Sequence, residues 1–124
     1  MILADTSVWI NHIRFGDSAF AQLLASGNIL MHPFILGEIS LGSLRDRTAF
    51  LDQLRQMNEV TVASDGEVLQ LIESRQIYSS GIGYADAHLL ASITLMPGVS
   101  FWTLDKRLKA VAEKLLIAYH PSHH

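Results

Sequence analysis

The sequence predicts an α/β fold built on a mainly parallel sheet with helices on both faces. Short apolar runs of strand length alternate with longer stretches of helical period along the whole chain. Strands separated by helices need crossover connections, which make neighbouring strands parallel. No repeat, low-complexity tract or Gly/Ser-rich linker divides the 124 residues, a length that suits one domain, so a single unit over 1–124 is expected.

The elements follow in order. Ile2–Ala4 is the first strand, and Thr6 and Ser7 offer a cap for a helix through Ile13. Asp17 and Ser18 cap a second helix through Ala25, which Gly27 ends. Residues 28–32 form a second strand. Pro33 suits the first position of the next helix, 33–44, because its missing N–H has no partner to lose there. A helix over 45–56, a strand over 59–63 and a helix from the Ser64-Asp65 cap to about Ile77 come next. A loop over 79–83 leads to a helix over 84–96, which Pro97-Gly98 stops. Residues 99–103 make a fourth strand, Asp105 opens a last helix to about Leu115, and 116–119 make a fifth strand. In sheets of this kind ligands bind beyond the carboxyl ends of the strands, where the strand order reverses.

Composition narrows the chemistry. Hydrophobic residues reach 49%, enough for a sizeable core rather than disorder; in so short a chain some of this surface is available to another subunit. A net charge of −3 excludes nucleic-acid binding by blanket positive charge, so any attraction for RNA must be local or supplied by cations. With no cysteine there is neither a disulfide nor a thiolate metal site, which fits a reducing cytoplasm. No basic segment precedes the first apolar residues, and no apolar run approaches the roughly 20 residues of a membrane span. His123 and His124 are consistent with a remnant of a purification tag and are set aside.

The twelve acidic residues sort by context. Asp17 and Asp65 sit where helices begin. Asp46 and Asp52 lie among Arg45, Arg47, Gln53 and Arg55 on a solvated face, and Glu113 pairs with Lys109 one turn away. Glu59, Glu67 and Glu73 read as similar surface charges. Four others stand apart. Asp5 follows the first strand and Asp105 the fourth. Glu38 shares a helical stripe with Phe34 and Leu41, and Asp86 one with Ile82, Leu89, Leu90 and Ile93, so both are expected to point inward. The alternative for Asp5 and Asp105 is that each caps the helix behind it, and for Asp86 that it belongs to a first helical turn. A buried carboxylate is costly unless paired or bound to metal. Two such charges about 5 Å apart repel by roughly 3 kcal/mol at an effective dielectric near 20. Gathered together, the four must take up protons, spread apart or hold a cation, and an all-oxygen donor set favours Mg²⁺ or Mn²⁺ over Zn²⁺.

Four segments then carry a family resemblance. Asp5-Thr6-Ser7-Val8-Trp9-Ile10 resembles the opening motif of PIN domains and, more narrowly, of VapC-like toxins. Ile35-Leu36-Gly37-Glu38-Ile39-Ser40-Leu41-Gly42 resembles the helix bearing the family's second acid. The run from Gly81 to Ala91 and the run from Trp102 to Leu108 resemble the segments bearing the third and fourth. They occur in the family's order and span nearly the whole chain. The resemblance implies a three-layer α/β/α sandwich and an endoribonuclease dependent on Mg²⁺ or Mn²⁺, with Asp5, Glu38, Asp86 and Asp105 as its catalytic and metal-holding acids. It also implies a homodimer and a small antitoxin protein that blocks the site. Asn11 departs from the pattern, standing where similar proteins often carry an acid.

Within this reading Asp5 and Asp86 are the expected direct ligands, completed by Glu38 and Asp105. Ser7, Thr103 and Asn11 stand behind them to orient ligands or water, against the alternatives of helix capping for Ser7 and strand packing for Thr103. Arg14, Arg45, Arg47, Lys106, Arg107 and Lys109 are candidates to steer an RNA backbone. Tyr84 is a candidate for base stacking, whereas Trp9 and Trp102 read as core. His12, His32 and His88 show no zinc spacing, and His88 reads as structural or exposed. An aspartyl-phosphate phosphatase fits less well, because Ser7 stands where its second Asp belongs. A binding module with a structural ion is the other alternative. Gly81-Ile82-Gly83 lacks the third glycine of a dinucleotide loop, and no Walker A motif occurs.

Overall fold

The computed structural model describes residues 1–121. The end of the expected single unit, including His123 and His124, lies outside the described residues. Three strands, β1 (Ile2–Ala4), β2 (Ile29–Leu30) and β3 (Ser100–Trp102), form a wholly parallel sheet in the order β2-β1-β3. Ile2 and Leu3 pair with Ile29 and Leu30 on one side and with Ser100 and Phe101 on the other. β1 is therefore central, and the strand order reverses at its carboxyl end, where the next residue is Asp5.

Seven helices surround the sheet: α1 (Thr6–Phe15), α2 (Ser18–Ala25), α3 (Pro33–Ser40), α4 (Arg47–Arg55), α5 (Asp65–Ser74), α6 (Tyr84–Thr94) and α7 (Lys106–Lys114). Their starts follow from capping chemistry, in which a side-chain acceptor takes one of the orphan amides of the first turn. Asp17 accepts from the Phe20 amide at 3.0 Å. Ser64 and Glu67 form a reciprocal capping box. His32 caps α3 through Nδ1, which accepts from the Phe34 amide at 3.0 Å, with Pro33 at the first helical position.

The expected strands over 59–63 and 116–119 are not strands. Each reduces to one bridge, Met31 with Glu59 and Phe101 with Ala118, at opposite margins of the sheet. The amides that would extend the first ladder are spent elsewhere: Thr61 N donates to Met96 Sδ at 3.3 Å and Ala63 N to Ser92 Oγ at 3.0 Å. At the second, Leu116 takes φ +62, and the amides of Leu116 and Ile117 close the end of α7 on Glu113 and Ala112. The expected helix over 33–44 stops at Ser40, and the one over 45–56 begins only at Arg47, after Asp46 at φ +46. α5 ends short of Ile77 because Gln76 adopts φ +55, and α6 stops at Thr94 rather than 96. α1 runs past Ile13 to Phe15, where Gly16 at φ +73 ends it.

The core joins both faces of the sheet. Leu3, Ala4 and Phe101 lie between Ile35, Ile39, Leu90, Ile93 and Leu108, all essentially inaccessible. Trp9 packs edge-on against Phe20 at 4.9 Å, and Phe20 leads on to Trp102 at 5.8 Å, so both tryptophans are core as expected.

Ser92 lies wholly inside, where its hydroxyl accepts from the Ala63 amide and donates to the His88 carbonyl at 3.2 Å. Ser92→Ala strands a buried amide, so urea unfolding should show a loss of about 1–3 kcal/mol at unchanged slope.

Candidate active site

Asp5, Glu38, Asp86 and Asp105 line one pocket of about 190 Å³, together with Thr6, Ser7 and the apolar walls Leu89 and Leu108. The four acids come from the end of β1, the last half of α3, the first turn of α6 and the turn after β3. The pocket opens beyond the carboxyl edge of the sheet at its reversal point, as expected for this architecture.

Asp5 is the buried member, with 6% of its surface exposed. Ser7 Oγ donates to its Oδ1 and Thr103 Oγ1 to its Oδ2, each at 2.5 Å, and the Val8 amide reaches Oδ1 at 3.3 Å. Ser7 Oγ accepts from the Leu104 amide at 2.9 Å and Thr103 Oγ1 from the Asp105 amide at 3.0 Å, which turns each hydroxyl proton towards the carboxylate. Thr103 is thus more than strand packing, and Ser7 more than a cap. Asp5 also caps α1, and Asp105 caps α7 through the Leu108 amide at 2.8 Å. Capping and site membership coexist in both residues.

The inward placement expected of Glu38 needs correction, whereas Asp86 does share its stripe with the buried Leu89, Leu90 and Ile93. Glu38 is exposed, and its stripe is the outer one: Phe34 is 38% and Leu41 89% exposed, whereas Ile35 and Ile39 carry the buried face. Asp86 is half-buried in the first turn of α6, after Gly83, and Asp105 is exposed. The pocket is therefore an open mouth with one buried carboxylate at its floor. Burial raises the pKa of Asp5 above the ordinary 3.8 despite the hydroxyl and amide donors. Burial also raises that of Asp86, and the charges of Asp5, Glu38 and Asp105 add to the effect, while a backbone bond from Gly83 opposes it.

Thr6 was not among the expected site residues, yet its Oγ1 donates to Glu38 Oε2 at 2.5 Å and ties α1 to α3. Its place beside Asp5, on the same first turn as Ser7, was the available signal. Asn11 lies elsewhere, in a neighbouring groove with Thr6, Ser7, Ile10, Arg14 and Phe15. His88 is buried, with Nε2 3.4 Å from Asp65 Oδ1. Its ring lies 6.0 Å from that of His32, whose pKa burial lowers to about 4. The Tyr84 hydroxyl donates to Asp65 at 2.7 Å.

The donor set is all carboxylate, with no imidazole in the pocket lining. Among the described residues no three acidic or histidine side chains converge in ligating geometry around one point. Mg²⁺ keeps several waters and takes one or two protein carboxylates, so a shared acidic mouth with mutually repelling charges fits it and a preformed tight cage is not required.

An acidic mouth at the reversal point of a parallel sheet, floored by a strand-end Asp, marks this chain as an α/β protein with a candidate site of clustered carboxylates. The chain belongs to the PIN domain family, whose model matches residues 2–114. It is also 41% identical over 118 residues, 95% of each chain, to Ribonuclease VapC32 from two strains of Mycobacterium tuberculosis.

In EDTA, Asp86→Asn should gain stability over the wild type as pH rises above 3.8, the ordinary carboxyl value. The sign follows from the raised pKa: the folded wild type holds a proton that the unfolded chain has already lost, so its stability falls with pH until Asp86 is ionised in both states. His32, with its lowered pKa, tilts both proteins the other way and cancels in the difference. Paired urea titrations across this range measure it, and a gap that narrows with rising pH would contradict the electrostatics.

Proposed function

We propose that this chain is a metal-dependent endoribonuclease and the toxin of a toxin–antitoxin pair, hydrolysing phosphodiester bonds in structured RNA such as tRNA or rRNA and so inhibiting translation. The observation that carries this reading is the meeting of Asp5, Glu38, Asp86 and Asp105, from four separated segments, in one pocket. Membership of the PIN domain family and the printed name of the relative, a ribonuclease, support it.

Asp5 and Asp86 would hold Mg²⁺ or Mn²⁺, with Glu38 and Asp105 completing the site directly or through water. When bound, such a cation supplies positive charge and Lewis acidity at the scissile phosphate. The chain does the rest. Ser7 and Thr103 hold both oxygens of Asp5 in a fixed plane. Thr6 holds one oxygen of Glu38 and leaves the other free to turn to the pocket. Leu89 and Leu108 wall the mouth and limit the water that reaches it. The same negative mouth would attract a basic side chain of an antitoxin protein. A homodimer accords with exposed Leu41, Leu69, Leu95 and Leu116 on so short a chain. Among the described residues no helix is long and apolar enough to cross a membrane, and an RNA substrate of the translation machinery places the activity in the cytoplasm.

Purified protein should cut tRNA or rRNA with Mg²⁺ or Mn²⁺ and stop on addition of EDTA. Asp5→Asn and Asp86→Asn should remove cleavage. Thr103→Val should lower it by about 10- to 100-fold, as for other residues that orient a metal ligand. Sequencing of the new 5′ ends after brief induction names the bond. Cleavage that persists in EDTA, or in Asp5→Asn, would refute the assignment.

A further inference from the structure

Four of the nine basic residues of this acidic chain, Lys106, Arg107, Lys109 and Lys114, lie on α7 against a single acid, Glu113. At 3.6 residues per turn, Lys106, Arg107, Ala110 and Lys114 share one face of the helix. With Ser80 they line a groove of about 420 Å³. Among the described residues Lys106, Arg107 and Lys114 have no carboxylate within 4.0 Å; the ion pairs lie elsewhere, at Arg55 with Asp52 and His88 with Asp65. Lys114 Nζ donates only to a carbonyl, that of Gln76, at 2.8 Å.

The Arg107 side chain lies close against the loop opposite, at Gly81. A Cβ on Gly81 would stand 3.0 Å from Arg107 Cδ and 3.2 Å from Nη1, and Gly81 itself adopts φ +85. The φ of +85 favours glycine at this position, and its lack of a side chain leaves room for Arg107 to lie this close to the loop. The groove starts on residues next to the mouth in the chain: Asp105 and Leu108, which line the mouth, flank Lys106 and Arg107 in the sequence. From Lys106 to Lys114 the helix rises about 12 Å, room for consecutive phosphates of one strand. At Ser80 the groove meets a second cleft of about 340 Å³, walled by Ile72, Tyr78, Ile82 and Tyr84, a size and lining suited to a base.

We propose that the α7 face binds the RNA backbone on one side of the cut and that the cleft beyond Ser80 receives an unstacked base. A base in a duplex has no free face to enter such a cleft. The inference rests on the ribonuclease reading, and it explains how a chain of net charge −3 captures a polyanion: the positive charge is concentrated beside the mouth.

The test is binding of a short fluorescent single-stranded RNA, and of a fully paired duplex of equal composition, by the Asp5→Asn protein in Mg²⁺. Anisotropy is followed from about 50 to 200 mM salt, where phosphate contacts dominate. Added to that background, Arg107→Gln and Lys114→Gln should each weaken single-strand binding several-fold and reduce the log–log salt slope by about 0.7. Tyr78→Ala should weaken it by about 5- to 100-fold with the slope unchanged, the signature of lost stacking. Arg55→Gln, on α4 and paired with Asp52 away from the groove, should change neither. Unaltered affinity and slope in the α7 variants, tighter binding of the duplex, or preference for an oligo-glutamate peptide over RNA would overturn the proposal. Cleavage by the otherwise wild-type protein separates the two readings. RNA cut equally well by the α7 variants sinks the groove alone, whereas intact RNA with normal α7-dependent binding sinks the nuclease assignment alone.

Discussion

The carboxylate of Asp5 is the constraint around which the site is arranged. It is a charge placed in the interior at the end of the central strand, and that position is affordable only because two hydroxyls and an amide face it. The hydroxyls come from opposite ends of the sequence, Ser7 and Thr103, and each is oriented by an amide of the turn that follows β3. One hydrogen-bond network thus joins β1, the first turn of α1 and the β3–α7 connection. It also sets Asp105 at the rim of the pocket, since the amide of Asp105 is one of the two donors that orient it.

Electrostatics divides the molecule into two zones that meet along α7. On the mouth side, carboxylates outnumber their partners, and Asp86 feels the other three charges. On the groove side, ammonium and guanidinium groups lack carboxylates. Neither zone neutralises the other, because Asp105 faces the mouth as the helix cap while Lys106 and Arg107 turn away within the next turn. Like-charge repulsion in each zone costs stability that the core beneath must supply, a pattern typical of surfaces kept for ligands rather than for folding.

The sequence made the four acids legible because their positions follow from chain logic: two stand at strand ends and two on helices next in line. The parallel sheet was legible for a similar reason, since alternation of strand and helix leaves few topologies. Side-chain exposure was not. Phe34 and Leu41 made the Glu38 stripe look apolar, yet Ile35 and Ile39 were the inner residues, and a helix with apolar side chains on two faces has no single inward direction by composition. The two outer strands failed for another reason. Residues 59–63 and 116–119 have strand-like composition, but a ladder needs their amides, and these are spent elsewhere: Thr61 and Ala63 donate to the side chains of Met96 and Ser92, and Leu116 and Ile117 close the end of α7. The hydroxyl pair around Asp5 spans almost the whole chain, and no local pattern announces a contact between residues 7 and 103.

The single-residue bridges at both margins of the sheet bear on association. An edge with a run of open amides and carbonyls invites a strand from another molecule, and proteins commonly blunt such edges. Here pairing ends after one residue on each side, so there is little template for a foreign strand to zip onto. Misassembly through cross-chain β-pairing is discouraged by this economy of backbone, and the exposed Leu41, Leu69, Leu95 and Leu116 all lie off the strands.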